Sequence, residues 1–272
     1  MDDSAEIRAV EGLGGLRLFS ADIVHYAFKR HAHDYYVLGF IEEGVQSFSC
    51  GRGKYRNPPR GIVAINPGDA HTGESALPGG FRYRALYPGV GEMDRVASEL
   101  GRSGSGLPEF PSPAIEDTDL YIALRALYEG IRRGAPLLEE ESRYLCALAL
   151  LVSRHSSSRP GPRLPRREAG AVARARRYIE ENYGEEIRLS TLAEEARLSP
   201  FYFIRAFRAE TGLPPHAYLA SVRVREAQRL LLAGRGLAEV AYETGFSSQS
   251  HFTSTFKGII GVPPGSYARA IS

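Results

Sequence analysis

Cysteine is nearly absent from this chain: Cys50 and Cys146 are the only two among 272 residues. They lie far apart and neither belongs to a Cys-x-x-Cys pair, which excludes a thiolate zinc motif and a disulfide framework and makes a reducing compartment the expectation. Long apolar runs are missing too. The longest, Leu145 to Val152, is far shorter than the roughly 20 residues a membrane-spanning helix needs. The N-terminus, Met1 to Val10, mixes charges where a signal peptide would place an apolar stretch. Nucleophile motifs and phosphate-cradling glycine loops are also lacking, which weakens most catalytic readings. The expectation is a soluble, cytoplasmic protein with no membrane partner.

What is there divides near residue 162. Residues 163–272 hold 16 Lys and Arg against 11 Asp and Glu, whereas the first 162 hold 18 against 21. A basic C-terminal part behind a mildly acidic N-terminal part suits a nucleic-acid reader with a separate sensing module; chance asymmetry of two solvated surfaces is the plainer alternative. Between residues 16 and about 90, β-prone pieces such as Tyr35 to Ile41, Val45 to Ser49 and Gly61 to Ile65 alternate with turn signals, among them Asn57-Pro58-Pro59 and Asn66-Pro67-Gly68-Asp69. Short strands at this spacing predict a sandwich or small barrel.

After the Gly-, Ser- and Pro-rich stretch from Gly101 to Pro113 the period changes to that of a helix. Leu120, Leu124, Leu127 and Ile131 make one apolar face, ended by Gly134, and Leu138, Leu145, Leu148 and Val152 make a second. These helices, within about 117–153, either cover the barrel or pair with a second copy. The divisions expected are an N-terminal domain over 1–155, a linker over 156–168 and a helical domain over 169–272, and the family resemblance given below makes the first an effector-sensing and dimerisation domain. In the last, helices are expected near 169–183, 190–196, 200–211, 215–233, 237–244, 248–259 and 264–270, with Ser190 and Ser199 as N-caps and Pro200 at a first helical position.

This helical domain repeats itself at an offset of 49 residues. Phe203 recurs as Phe252, Phe207 as Phe256, Arg208 as Lys257, Gly212 as Gly261, Pro214 and Pro215 as Pro263 and Pro264, and Tyr218 as Tyr267. Aromatics four apart mark the buried face of a helix, and Gly followed by Pro-Pro ends it. Two helix-turn-helix units reading successive major-groove faces must stand about 34 Å apart; an intervening helix over Pro215 to Leu232 spans about 27 Å before the width of the units is added.

These residues, with Gly245-Phe246-Ser247-Ser248-Gln249-Ser250-His251-Phe252 in the second copy and Leu192-Ala193, Ser199 and Arg205 in the first, resemble the signature of the AraC/XylS family of bacterial transcription regulators. The resemblance implies a two-domain α+β protein: an N-terminal cupin-like β-barrel with two appended helices, then an all-α tandem helix-turn-helix domain of about seven helices. Helix geometry turns Phe201, Ile204, Arg205 and Arg208 of the first reader toward solvent or DNA, and places Ser247, Gln249, Ser250, His251, Thr253, Ser254 and Lys257 near the groove in the second. Arg205 is the expected base reader, since a guanidinium takes two hydrogen bonds from guanine; Gln249 suits adenine, and Lys257 a phosphate. Where the family commonly repeats the arginine, this chain has Ser254, so the first reader should dominate specificity.

The N-terminal resemblance rests on His31-Ala32-His33, on Pro67-Gly68-Asp69-Ala70-His71 and on the spacing of turns. Three histidines on barrel strands suit a divalent metal, but the glutamate that metal cupins carry four or five residues after the second histidine is replaced by Val37 and Leu38. The reading adopted is an effector pocket whose polar groups are His31, His33, Tyr36, Gln46, His71, Arg82 and Tyr83, with no metal and no cofactor. Packed or loop-capping histidines are the plainer reading, and a metal-dependent cupin enzyme fused to an autoregulatory DNA-binding domain is the functional alternative. The partners implied are double-stranded promoter DNA, a small-molecule effector, a second copy of the chain and, for an activator, RNA polymerase.

Overall fold

The structure, a computed structural model, describes residues 3–101, 107–157, 168–260 and 262–271. Most of the linker expected over 156–168, and Gly261 of the repeat, lie outside them. The chain forms two compact units, residues 1–134 with 143–163, and residues 135–142 with 164–272.

In the first unit, β1 (Ser4–Ala9), β2 (Arg17–Ile23), β4 (Val37–Gly44), β7 (Ile62–Ile65), β9 (Phe81–Tyr87) and β10 (Ala114–Ile115) form one antiparallel sheet in the order β1-β2-β9-β4-β7-β10. A second sheet runs β3-β8-β5-β6, from β3 (Phe28–His31), β5 (Gln46–Cys50), β6 (Gly53–Asn57) and β8 (His71–Ser75). The β-rich domain expected from the turn spacing is thus present, built as two sheets that do not close into a hydrogen-bonded ring. Between the sheets lies a core that includes Ile23, Val37, Ile41, Phe48, Val63, Ile65, Phe81 and Tyr83. The next residues along β4 alternate to the other face, where Phe40 meets the rings of Tyr121 and Tyr128 edge-on at 5.6 and 6.0 Å. A strand covered on both sides has no need of polar residues, which is why β7 reads Ile-Val-Ala-Ile and is buried throughout. Gly39 is fixed by close approach: a side chain there would land inside the Tyr83 ring.

Three helices come after β9, with β10 between the first and the second. Helix α1 (Val90–Glu99) is not anticipated above; its buried Met93, Val96 and Ala97 carry the i, i+3, i+4 spacing, but over one short stretch that opens on Pro88-Gly89. Helix α2 (Thr118–Arg132) buries the expected Leu120, Leu124, Leu127 and Ile131. In α3 (Leu137–His155) Leu138, Leu148 and Val152 are buried as expected, whereas Leu145 is half-exposed and Tyr144 beside it is buried. Asp117 caps α2 by accepting from the Leu120 amide at 3.0 Å, and also receives Arg154 at 3.0 Å and His155 at 2.9 Å from the end of α3. Desolvation opposes its ionisation, but these donors outweigh it and hold the carboxyl down at about 2.

The second unit is helical: α4 (Ala169–Glu181), α5 (Leu189–Ala196), α6 (Pro200–Thr211), α7 (Pro215–Leu232), α8 (Leu237–Glu243), α9 (Gln249–Ile260) and α10 (Pro264–Ile271). Helix α6 has the expected N-terminus, with the Tyr202 amide donating to Ser199 Oγ at 3.4 Å and Pro200 in the first turn. Ser190 is a correction: α5 begins one residue earlier, its N-cap is Arg188, and Ser190 lies within the first turn.

Candidate functional site

The sequence repeat is also a repeat in space. Helices α6 and α9 start 49 residues apart and have 12 residues each. Phe203 meets Phe207 at 5.3 Å and Phe252 meets Phe256 at 5.6 Å; Phe207 then meets Tyr218 at 5.4 Å and Phe256 meets Tyr267 at 5.3 Å, all edge-on. All four phenylalanines are fully buried. Burying each is worth roughly 1.5–3 kcal/mol, so this scaffold fixes which side of α6 and α9 remains outside.

On that outer side Arg205 and Arg208 of α6 are exposed, as are Ser247, Gln249, Ser250, Ser254 and Lys257 in and before α9. His251 and Thr253 are half-buried; His251 packs on Phe246 at 5.3 Å and its Nδ1 pairs with Ser247 Oγ at 3.1 Å. Phe201 and Ile204 are corrections, buried to 3 % and 2 % exposure rather than facing solvent. The two-phenylalanine stripe underestimates the buried width of α6, since a core-facing helix hides an arc of 100° or more. What Phe201 retains is its ring beneath Arg205, whose guanidinium lies 5.7 Å from the centroid.

The turns differ by one residue. The Leu198 amide bonds Ala193 O at 2.9 Å and the Phe246 amide bonds Ala241 O at 3.0 Å, an offset of 48. The caps Ser199 and Ser248 are 49 apart, the latter accepting from the His251 amide at 3.1 Å. Ser247 is therefore the extra residue. At the matching left-handed positions stand Arg197, φ 57°, and Gly245, φ 73°. Arg197, an exposed cation in the first turn, is not among the residues expected above; its 48-residue offset from Gly245 is the signal that marks it. Between the copies, buried Arg223 of α7 donates to the carbonyls of Tyr183 and Glu185, both at 2.8 Å, and lies 5.8 Å from the Phe246 ring. Desolvation pushes its guanidinium down to about 10.

In the first unit a small, open cleft lies between the two sheets. Five of the seven expected polar groups line it: His31, His33, Gln46, His71 and Tyr83. Tyr36 and Arg82 do not, and both are corrections. Tyr36 immediately precedes Val37, which faces the cleft, so its side chain takes the opposite face and its hydroxyl donates to Pro108 O at 2.9 Å. Arg82, between inward Phe81 and Tyr83, pairs outside with Asp22 at 3.3 Å and Glu43 at 3.0 Å. The remaining wall is apolar or aromatic, including Phe19, Phe28, Phe48, Val63, Ile65 and Tyr87; these could be found only once the register was known.

The histidine rings crowd together, with centroids 4.7 Å apart for His31 and His33, 4.5 Å for His31 and His71, and 5.3 Å for His33 and His71. Burial pushes His33 down to about 4, helped by repulsion from His31 and His71, and burial lowers His71 as well. Those two rings are therefore neutral near pH 7. Gln46 is 6 % exposed, and its Oε1 has no hydrogen-bond partner among the described residues. A buried acceptor of this kind is uncommon in a native fold and marks a place where a ligand's donor would be welcome.

Two family models match the chain: an AraC-like ligand binding domain over residues 13–147 and a helix-turn-helix domain over residues 192–270. An uncharacterised HTH-type transcriptional regulator of Bacillus subtilis, YbfI, is 31% identical over 229 residues, covering 82% of this chain and 81% of its own. The HTH-type transcriptional activator RhaS of Pectobacterium carotovorum is 24% identical over 247 residues, covering 85% and 84%. Among solved structures, the C-terminal domain of AraT, a response regulator from Geobacillus stearothermophilus, is 32% identical, covering 39% of this chain and 88% of that one with a TM-score of 0.37. YbfI and RhaS are transcription regulators, and the metal-dependent enzyme considered as an alternative has no support from them.

Proposed function

The chain belongs to the AraC family of transcription regulators, and from that premise we propose that α6 and α9 enter successive major-groove faces of promoter DNA while the cleft between the sheets takes a small effector. The family assignment makes it a DNA-binding regulator with a ligand-binding domain. The observation that carries the residue-level reading is the duplicated aromatic scaffold, which leaves Arg205 and Arg208 exposed on one helix and Gln249, Ser250, Ser254 and Lys257 on the other.

In this reading Arg205 reads a base edge, Gln249 contributes a weaker contact, and Arg208 and Lys257 hold phosphates. His31, His33, Gln46, His71 and Tyr83 receive the effector. The effector acts by binding one state of the protein more tightly than another. As a homodimer the protein brings four reading helices to repeated half-sites. The protein works in the cytoplasm as an activator that contacts RNA polymerase; among the described residues no helix is long and apolar enough to cross a membrane.

The test is binding of the full chain to its own upstream DNA and to random duplex at two salt concentrations. Specific binding at least about 10³-fold tighter, with affinity falling steeply as salt rises, is expected. Equal, weak binding to both would overturn the reading.

A further inference from the structure

The three histidines carry an inference that rests on reading the cleft as a ligand site. His31 and His71 are paired across β3 and β8, and His33 completes a triangle in which one possible ligand atom from each residue lies within 4.8 Å of the others. Two of the rings are oriented from behind. His31 Nδ1 donates to Lys29 O at 2.6 Å and His71 Nδ1 donates to Asp69 O at 2.9 Å. A carbonyl only accepts, so the proton sits on Nδ1 and the lone pair of Nε2 is left available, the outer-shell arrangement found behind metal-ligating histidines. Tetrahedral coordination at about 2.0–2.1 Å places nitrogens about 3.3 Å apart, so closure asks for ring movements of about 1 Å.

The surroundings constrain what else would bind. Among the described residues no Asp or Glu lines the cleft; its walls include Phe19, Phe28, Val63 and Ile65. Imidazole bound through Nε2 adds no charge, so three such ligands leave a divalent ion its full charge beside apolar walls, and such a charge needs an anionic partner. Gln46 Oε1, buried and unpartnered at the same cleft, asks for a hydrogen-bond donor. We propose that His31, His33 and His71 hold one divalent transition-metal ion of the zinc or cobalt type, and that the effector binds its open position through a carboxylate while donating a hydroxyl hydrogen to Gln46. Nitrogen-only ligands favour such ions over magnesium or calcium. The bound ion here serves recognition rather than catalysis.

The experiment uses untagged full-length protein, freed of metal by a chelator and titrated with Co²⁺. One ion per chain is expected, with the visible absorption of low-coordinate, nitrogen-bound cobalt. His33→Ala removes a half-exposed ligand and should weaken binding at least about a hundredfold, since loss of an outer-shell partner alone costs about 10–100-fold. His25→Ala, an exposed histidine outside the cleft, should leave cobalt binding unchanged. Glycolate, a hydroxycarboxylate probe, should change the cobalt spectrum of the wild type and do so more weakly in Gln46→Leu. Sub-stoichiometric cobalt, or binding unaffected in a folded His33→Ala protein, overturns the metal site; an unchanged spectrum with glycolate overturns the open-position ligand. Organic ligands that stabilise the metal-free protein would then leave the effector cleft standing without its metal. If cobalt and glycolate bind as expected but leave DNA affinity unaltered, the metal site stands and the effector reading falls.

Discussion

The two helix-turn-helix copies agree where they are buried and disagree where they are exposed. Phe203, Phe207 and Tyr218 superimpose in role on Phe252, Phe256 and Tyr267, with ring spacings that differ by 0.3 Å or less. Outside, Arg205 answers to Ser254, and in the turn Arg197 answers to Gly245 with Ser247 added. The inner positions obey close packing, which penalises change in either copy alike. The outer positions obey whatever each helix touches, and there the copies are not equivalent.

The largest test of that comparison is truncation of the scaffold. Phe207→Ala and Phe256→Ala should each cost about 3–5 kcal/mol in urea unfolding, and by similar amounts. A difference well beyond that range would show that the two cores are not equivalent. Next come the outer faces. Arg205→Ala should lose about 1–3 kcal/mol of discrimination at one base pair, whereas Ser254→Ala should change specificity little and Lys257→Ala should weaken all sequences equally, lowering the salt slope by about 1. Competition binding against single-base operator variants checks this, and a uniform loss from Arg205→Ala would remove its assignment as a base reader. The smallest effects lie in the turns, and they should have opposite signs. Gly245→Ala should destabilise by at least about 1 kcal/mol, because its Cβ would meet Gly184 O at 2.5 Å as well as a left-handed backbone. Arg197→Gly relieves the same backbone in open surroundings and should gain up to about 1 kcal/mol. Thermal melts showing the same sign for both would mean that the turns are not alike.

What could be read in advance follows the same division. The repeat was visible because aromatics, glycines and prolines at fixed spacing are demanded by packing and chain reversal, and all seven helices of the second unit fall within a few residues of their expected places. In the sheets, turn residues disclosed that strands exist but not which face each residue takes. Parity then decided the errors: Tyr36 and Arg82 sit one step out of phase with the cleft-lining Val37 and Tyr83. Helix α1 escaped because ten residues opening on Pro88-Gly89 look like another turn. Phe201 and Ile204 were misplaced because a periodic pattern gives the centre of a buried stripe and not its width. The histidine cluster was legible as residues; its closeness depended on the pairing of β3 with β8, which no local pattern encodes.

Arg223 has a mechanical consequence for the DNA. A buried guanidinium that grips the backbone of residues 183 and 185 on one side and lies against Phe246 on the other makes the spacing of the two readers a stiff gauge. Adding one base pair between the two contacted stretches turns one relative to the other by roughly 35°, at 10–10.5 base pairs per turn. Rotation of that size would break these contacts, so an operator with correct letters and a shifted gap should bind more weakly. Operators for this regulator would then be defined by distance as strictly as by sequence.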